Sequence, residues 1–323
     1  MLMALYTTVL FLMCCSAPEI LLAHRTFLGA FIDKTYTSMT LDSVIALYPS
    51  GLKHYLLILS RLLITPYRLL LPAYLIIVLN HYFKKRFKWL AWLLSFFPFL
   101  MVNDVIAQSV YFTLFLLLLN CYLNKVSHKT VIGIFIAAVI IVLIYFCGRY
   151  LLWRNEGDSI INDFSERFVT YFSGLNMVTG SFNQPSNLSN KFQYFLYDFL
   201  KAIPFNKTLF GLDPSISTAE FFHEVNSIEG EIPTTIGMCY YYFGFILAPL
   251  YSFVLVRLSK KSGKKLADCD VPLMRVVYMF AAFIFALGIV MYNIEIACNT
   301  LVQVVLPIYI IAKISFRRSK VDT

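Results

Sequence analysis

Apolar runs recur along almost the whole chain, at roughly 1–17, 54–79, 88–102, 105–123, 130–147, 236–257, 273–291 and 297–313. A helix needs about 20 predominantly apolar residues to cross the hydrocarbon core of a bilayer. Runs of this length, repeated eight times, predict an all-α fold: a polytopic membrane helix bundle of about eight transmembrane helices. The charged fraction agrees, since only 14% of the residues are Asp, Glu, Lys or Arg, against about a quarter in soluble domains. Segment 88–102 is short for a full crossing. Pro98 near its end and Asn103-Asp104 at the following turn predict a hairpin with 105–123, the alternative being one bent, partly re-entrant element. The first run has no basic stretch before it and meets Pro18 directly, which predicts a first helix rather than a secretory leader.

Basic residues give the orientation. Segment 81–88 holds four Lys/Arg, 124–129 holds two, 257–270 holds five, and the tail carries Lys313, Arg317, Arg318 and Lys320. With alternating spans these clusters share one face, which the positive-inside tendency makes cytoplasmic. Both termini then lie inside. The net charge of +9 is explained by these membrane-edge clusters, so no nucleic-acid partner is expected. No GxGxxG or GxxxxGK[ST] motif is present, and no inner segment is long enough for a nucleotide-binding domain. The expected organisation is an N-terminal bundle of five spans (1–147), a large external loop between helices five and six (148–235), and a C-terminal bundle of three spans with a basic tail (236–323).

The loop at 148–235 holds six Lys/Arg and ten Asp/Glu. Arg149 and Arg154 fall just past the fifth run, and Arg167 follows in NDFSERF. A guanidinium matches phosphate oxygens, so these three are candidates to hold a lipid diphosphate; the plainer reading is snorkelling or pairing with Glu156, Asp158 and Glu166. Segment 164–182 reads as an interfacial helix or a short extra span. Further on, HEVNSIEGE places His223 and Glu224 near Glu229 and Glu231. Glu224, Glu231, His223 and Asp158 are candidates for a general base or an acceptor-orienting group; a hydrated loop is the plainer account. His223-Glu224 does not begin an HExxH motif.

Arg61 and Arg68 lie inside the second run, seven residues and about two turns apart, hence on one helix face. Charges within a span face the bundle interior or water, so this face is a candidate site for an anionic lipid carrier or for a structural ion pair. Pro66 and Pro72 predict a kinked or broken helix there. The seven cysteines show no CxxC and no Cys/His metal spacing. They read as small buried hydrophobes, and no metal or other cofactor is expected.

Several features together resemble the Wzy-type oligosaccharide repeat-unit polymerases of bacteria, which assemble O-antigen and capsular polysaccharide. They are the basic-inside span layout, the external loop beginning GRYLLWRNEGD, the segment YFSGLNMVTGSF, and the loop exit PTTIGMCYYYFGFILAPLYSFVLVRLSKK with Thr235, Gly237 and Gly244. The resemblance covers most of residues 50–313, although such proteins usually have more than eight spans. It implies a multi-pass protein of the bacterial cytoplasmic membrane. It also implies an activity: a glycan on undecaprenyl diphosphate is transferred to the next lipid-linked repeat unit with release of the carrier diphosphate. Arg149, Arg154 and Arg167 would then handle the diphosphate, and membrane lipids, a chain-length regulator and a flippase would be partners. A carrier-dependent ligase and a flippase for the lipid-linked unit are the alternatives.

Overall fold

The computed structural model describes residues 2–20, 41–82, 88–98, 106–127, 129–134, 191–203, 206–211, 235–288 and 294–321, with single positions at 136, 137, 140, 144, 218, 221, 222 and 224. Among the described residues every regular element is helical, and the chain is a membrane-embedded helix bundle with a few apolar spans. It divides into two compact units, one of residues 1–156 with 314–323 and the other of residues 157–313.

In the first unit, α1 (Leu2–Ser16) and the short α2 (Leu41–Ala46) pack on α3 (Leu52–Tyr82). Leu10, Met13, Ala17, Val44, Leu57 and Ile64 form their common core. Thr7 Oγ1 meets the Tyr67 hydroxyl at 2.9 Å, and Tyr6 donates to the Leu63 carbonyl, so α1 is tied to α3 by polar as well as apolar contacts. α3 has 31 residues, about 46 Å at 1.5 Å per residue, which exceeds the roughly 30 Å hydrocarbon core. Of the kink or break expected at Pro66 and Pro72, the break is absent: the helix continues through both prolines.

The expected hairpin is present. α4 (Lys88–Leu94) and α5 (Ile106–Leu123) meet through Lys88 Nζ–Asn124 Oδ1 at 2.8 Å, then Asn120 Nδ2 to the Ala91 carbonyl and to Ser95 Oγ, both at 2.7 Å, and finally Ser109 Oγ to the Pro98 carbonyl at 3.4 Å. Rising numbers on one partner meet falling numbers on the other, as an antiparallel pair requires. Asn80 of α3 joins the same seam, its Nδ2 lying 3.3 Å from Asn120 Oδ1. After α5, Ile132, Ile136, Ile140 and Ile144 are all exposed. Their spacing of four places them on one helical stripe, the pattern of a lipid-facing surface.

In the second unit, α6 (Lys191–Lys201) and α7 (Asn206–Phe210) come from the long loop, followed by α8 (Thr235–Ala267), α9 (Pro272–Leu287) and α10 (Ile294–Thr300). A π-turn at Leu301–Val305 leads into α11 (Leu306–Val321), of which residues 314–321 belong to the first unit. α8 changes character at Gly244, whose backbone (φ 70, ψ 177) is not helical. This region of conformational space is essentially reserved for glycine. Before the break, Thr235, Gly237, Met238, Cys239, Tyr241 and Tyr242 are buried. After it, Phe245 and Ile246 are 82% and 87% exposed. α8 and α9 pair through Ser259 Oγ and the Ala282 carbonyl at 2.8 Å, and a Cβ on Gly288 would stand 3.1 Å from Leu255 Cδ1.

Eight spans were expected; among the described residues three helical stretches are long and apolar enough to cross a membrane, Leu52–Tyr82, Thr235–Ala267 and Ile296–Ile314. Met3–Ser16, Ser109–Leu123 and Pro272–Leu287 are apolar but shorter. Three of the runs fall short in length, because an apolar run read from sequence includes residues that end or flank a helix, such as Ala17 and Gly288, whereas the structural count takes only the helical residues. The runs 88–102 and 130–147 lie partly outside the described residues.

Candidate functional site

The chemistry in the second unit centres on Asp198. α6 is strongly amphipathic: Tyr194, Asp198 and the following Ala202 stand four apart and are all buried, while Phe192, Leu196 and Phe199 face outward. That spacing puts a carboxyl group on the buried face of a helix. Burial of an ionised carboxylate is costly unless it is satisfied by hydrogen bonds or discharged. Asp198 is 0% exposed. Its Oδ2 lies 2.5 Å from Thr218 Oγ1 and 2.5 Å from the Tyr242 hydroxyl, and the Thr218 backbone N–H donates to Oδ1 at 3.3 Å. The Tyr242 hydroxyl and Thr218 Oγ1 are themselves 2.9 Å apart.

Three oxygens therefore form a triangle with three short edges. With Asp198 ionised, only the Thr218 and Tyr242 hydroxyls bring hydrogens, two for three edges. With Asp198 neutral there are three, and each group donates once around the ring. Burial acts in the same sense and raises the Asp198 pKa above its ordinary value. The hydrogen bonds from Thr218 and Tyr242, and the charge of Lys201, oppose that rise without overcoming it. The arrangement thus shifts Asp198 toward its neutral form and joins α6 of the loop to the buried first part of α8.

Aromatic rings close around this triangle. Phe195 lies 5.7 Å from Tyr242 and 5.1 Å from Phe243, and Tyr194 lies 5.3 Å from Phe221, centroid to centroid. Phe222 meets Tyr241 edge-on at 4.9 Å. Cys239 and Cys298 are buried in the same core. At the far end of α6, Gln303 Nε2 of the π-turn donates to the Ala202 carbonyl at 3.3 Å. The loop helix is thereby fastened at both its acidic centre and its C-terminal end.

A buried charge occupies the first unit. Arg68 of α3 is 2% exposed. Its Nη2 donates to Ser109 Oγ at 2.7 Å and to the Pro98 carbonyl at 3.4 Å, and its guanidinium lies 5.8 Å from the Phe112 ring centroid. One side chain thus bridges α3 and both arms of the α4/α5 hairpin.

Of the residues picked out in the sequence, Arg68 is buried as described, and Glu224 is exposed. Arg61 lies on α3, but its side chain is outside the described residues. His223, Glu231, Asp158, Arg149, Arg154 and Arg167 also lie outside them, as does segment 164–182. No three His, Cys, Asp or Glu side chains converge among the described residues. The residues that sequence reasoning passed over are Asp198, Thr218 and Tyr242. The available signal was the i, i+4, i+8 ladder Tyr194-Asp198-Ala202, an acid set among residues otherwise suited to a core. No family model, no curated protein and no solved structure matches the chain.

Proposed function

We propose that this chain is a membrane glycosyltransferase that polymerises lipid-diphosphate-linked oligosaccharide repeat units at the outer face of the bacterial cytoplasmic membrane. The observation that carries the reading is the docked loop. α6 is held against the start of an apolar span by a buried acid, two hydroxyls and an aromatic core. An enzyme whose substrate is anchored in the bilayer needs its extramembrane part held in a set position beside the spans, because misplacement of a reacting group is costly in rate. Asp198 is fully buried and serves as a positioning residue in this reading.

The chemistry falls to the loop residues outside the clamp. The C1–O bond to the carrier diphosphate breaks as the acceptor hydroxyl oxygen bonds to C1. The hydroxyl proton passes to a carboxylate, for which Glu224, Glu231 and Asp158 are the candidates, with His223 beside them. The diphosphate departs carrying the negative charge, and Arg149, Arg154 and Arg167 stabilise it. Arg61 faces the same demand from within the membrane, while Arg68 holds α3 to its neighbours. Neither terminus carries chemistry in this reading, and both lie in the cytoplasm.

A second reading, movement of the same lipid-linked unit across the membrane, draws on two interruptions in long helices: Gly244 in α8 and the π-turn at Leu301–Val305. Broken helices are frequent in transporters. Deleting the gene in its native host and resolving the surface polysaccharide by size separates the two. The polymerase reading expects the ladder to collapse to a single repeat unit, restored by the wild-type gene but not by R149A or R154A. Unpolymerised units held on the cytoplasmic side would favour transport, full-length polymer left on its lipid would favour a ligase, and an unchanged ladder would contradict all three.

A further inference from the structure

The basic end of α8, the middle of α9, the π-turn and the start of α11 line an open cavity of ≈ 400 Å³, within the roughly 300–1,000 Å³ range of ligand pockets. One rim is polar. Lys261, Ser262 and Lys265 lie along it, the two lysines one helical turn apart and both exposed. Lys265 Nζ stands 5.7 Å from the Tyr278 ring centroid, which draws it toward the opening. The opposite wall is apolar, formed by Val277, Ala281, Leu301 and Val305. Among the described residues no acidic side chain lines the cavity.

The backbone accounts for the space. In the π-turn the Leu306 N–H reaches the Leu301 carbonyl, five residues back, in place of the four of an α-helix. The turn is therefore wider by one residue, and Leu301, Val305 and Leu306 all face the cavity. Pro307 follows and supplies no N–H to tighten it. Single-turn π segments of this kind cluster at functional sites.

We infer that this cavity binds an anionic diacyl phospholipid, with the headgroup phosphate on Lys261, Lys265 and Ser262 and an acyl chain along Val277, Ala281, Leu301 and Val305. A free anion makes no use of the apolar wall, and a zwitterionic lipid carries no net charge to match the paired lysines. Basic pockets between membrane helices are suited to acidic headgroups. The site depends only on the chain being membrane-embedded and is independent of the glycosyl-transfer reading.

The test uses the full chain in detergent, with lipid retention read by native mass spectrometry. Phosphatidylglycerol, phosphatidylcholine and inorganic phosphate are the probes. Wild type should retain phosphatidylglycerol over phosphatidylcholine, and K261Q/K265Q should lower that retention by roughly tenfold or more. K260Q/K264Q removes the same charge from the same helix outside the cavity lining and should leave retention unchanged. A281F fills the apolar part without altering charge and should also lose the lipid, which decides the matter if the double variant does not fold. Equal loss in K260Q/K264Q would reduce the effect to general surface charge and overturn the proposal. Equal retention of the two lipids, or inorganic phosphate displacing the bound lipid, would overturn it as well.

Discussion

Among the described residues each unit buries one side chain that water normally keeps charged, and the two solve the problem in different ways. Arg68 sits on α3 with a hydroxyl at 2.7 Å, a proline carbonyl at 3.4 Å and an aromatic face. Asp198 sits on α6 with two hydroxyls at 2.5 Å and a backbone N–H at 3.3 Å. A guanidinium does not lose its proton in proteins, so the oxygens around Arg68 must serve a permanent cation. A carboxyl can take up a proton, and the triangle around Asp198 has a place for it. The contacts of Arg68 are therefore insensitive to pH over the physiological range, whereas the clamp between loop and span is conditional on the protonation of one group.

Three substitutions probe that contrast, each read by equilibrium unfolding in detergent. The largest effect is expected for Asp198→Ala, which leaves a small cavity and strips the Thr218 N–H of its buried acceptor. It should lower stability by about 3 kcal/mol. Ser109→Ala comes next, at about 2 kcal/mol, because it removes a hydrogen bond to a charged donor. Its deficit should stay flat between about pH 5 and 8, since Arg68 does not titrate there. The smallest is Asp198→Asn, at less than about 1 kcal/mol near neutral pH, because the amide keeps the shape and a donor of the neutral acid.

The sign of the pH effect is fixed by the direction of the Asp198 shift. Its pKa is raised in the folded chain by burial, while the unfolded chain ionises near about pH 4. The stabilisation from the neutral acid is complete below that value and is lost as pH rises toward the raised native pKa. The advantage of wild type over Asp198→Asn should therefore shrink as pH rises from about 4. A wild-type advantage that grows with pH would mean that Asp198 is held as an anion.

How much of this was legible in the sequence depends on the range of the signal. The helices α3, α5, α8 and α9 follow from apolar runs that any window detects. The α4/α5 hairpin follows from Pro98 and Asn103-Asp104, which are local, and its Asn120–Ser95 and Ser109–Pro98 contacts agree. The clamp does not, because Thr218 and Tyr242 are 20 and 44 residues from Asp198. Nothing near position 198 tells a buried acid from a solvated one except the ladder on which it stands. The continuity of α3 through Pro66 and Pro72 was illegible for a related reason. A proline removes a local hydrogen bond, but packing against α1 and the hairpin decides whether the helix goes on.

The claim on which the account rests is that the Asp198 triangle fastens the loop to the span, and hydrogen exchange of α6 tests it most directly. Amides of Lys191–Lys201 should be protected in the wild-type chain and in Asp198→Asn. In Asp198→Ala they should exchange about 100-fold faster, with α3 and α5 unaffected, as local opening of one cooperative segment predicts. Unchanged protection of α6 in Asp198→Ala would show that the aromatic core alone holds the loop, and would contradict the account.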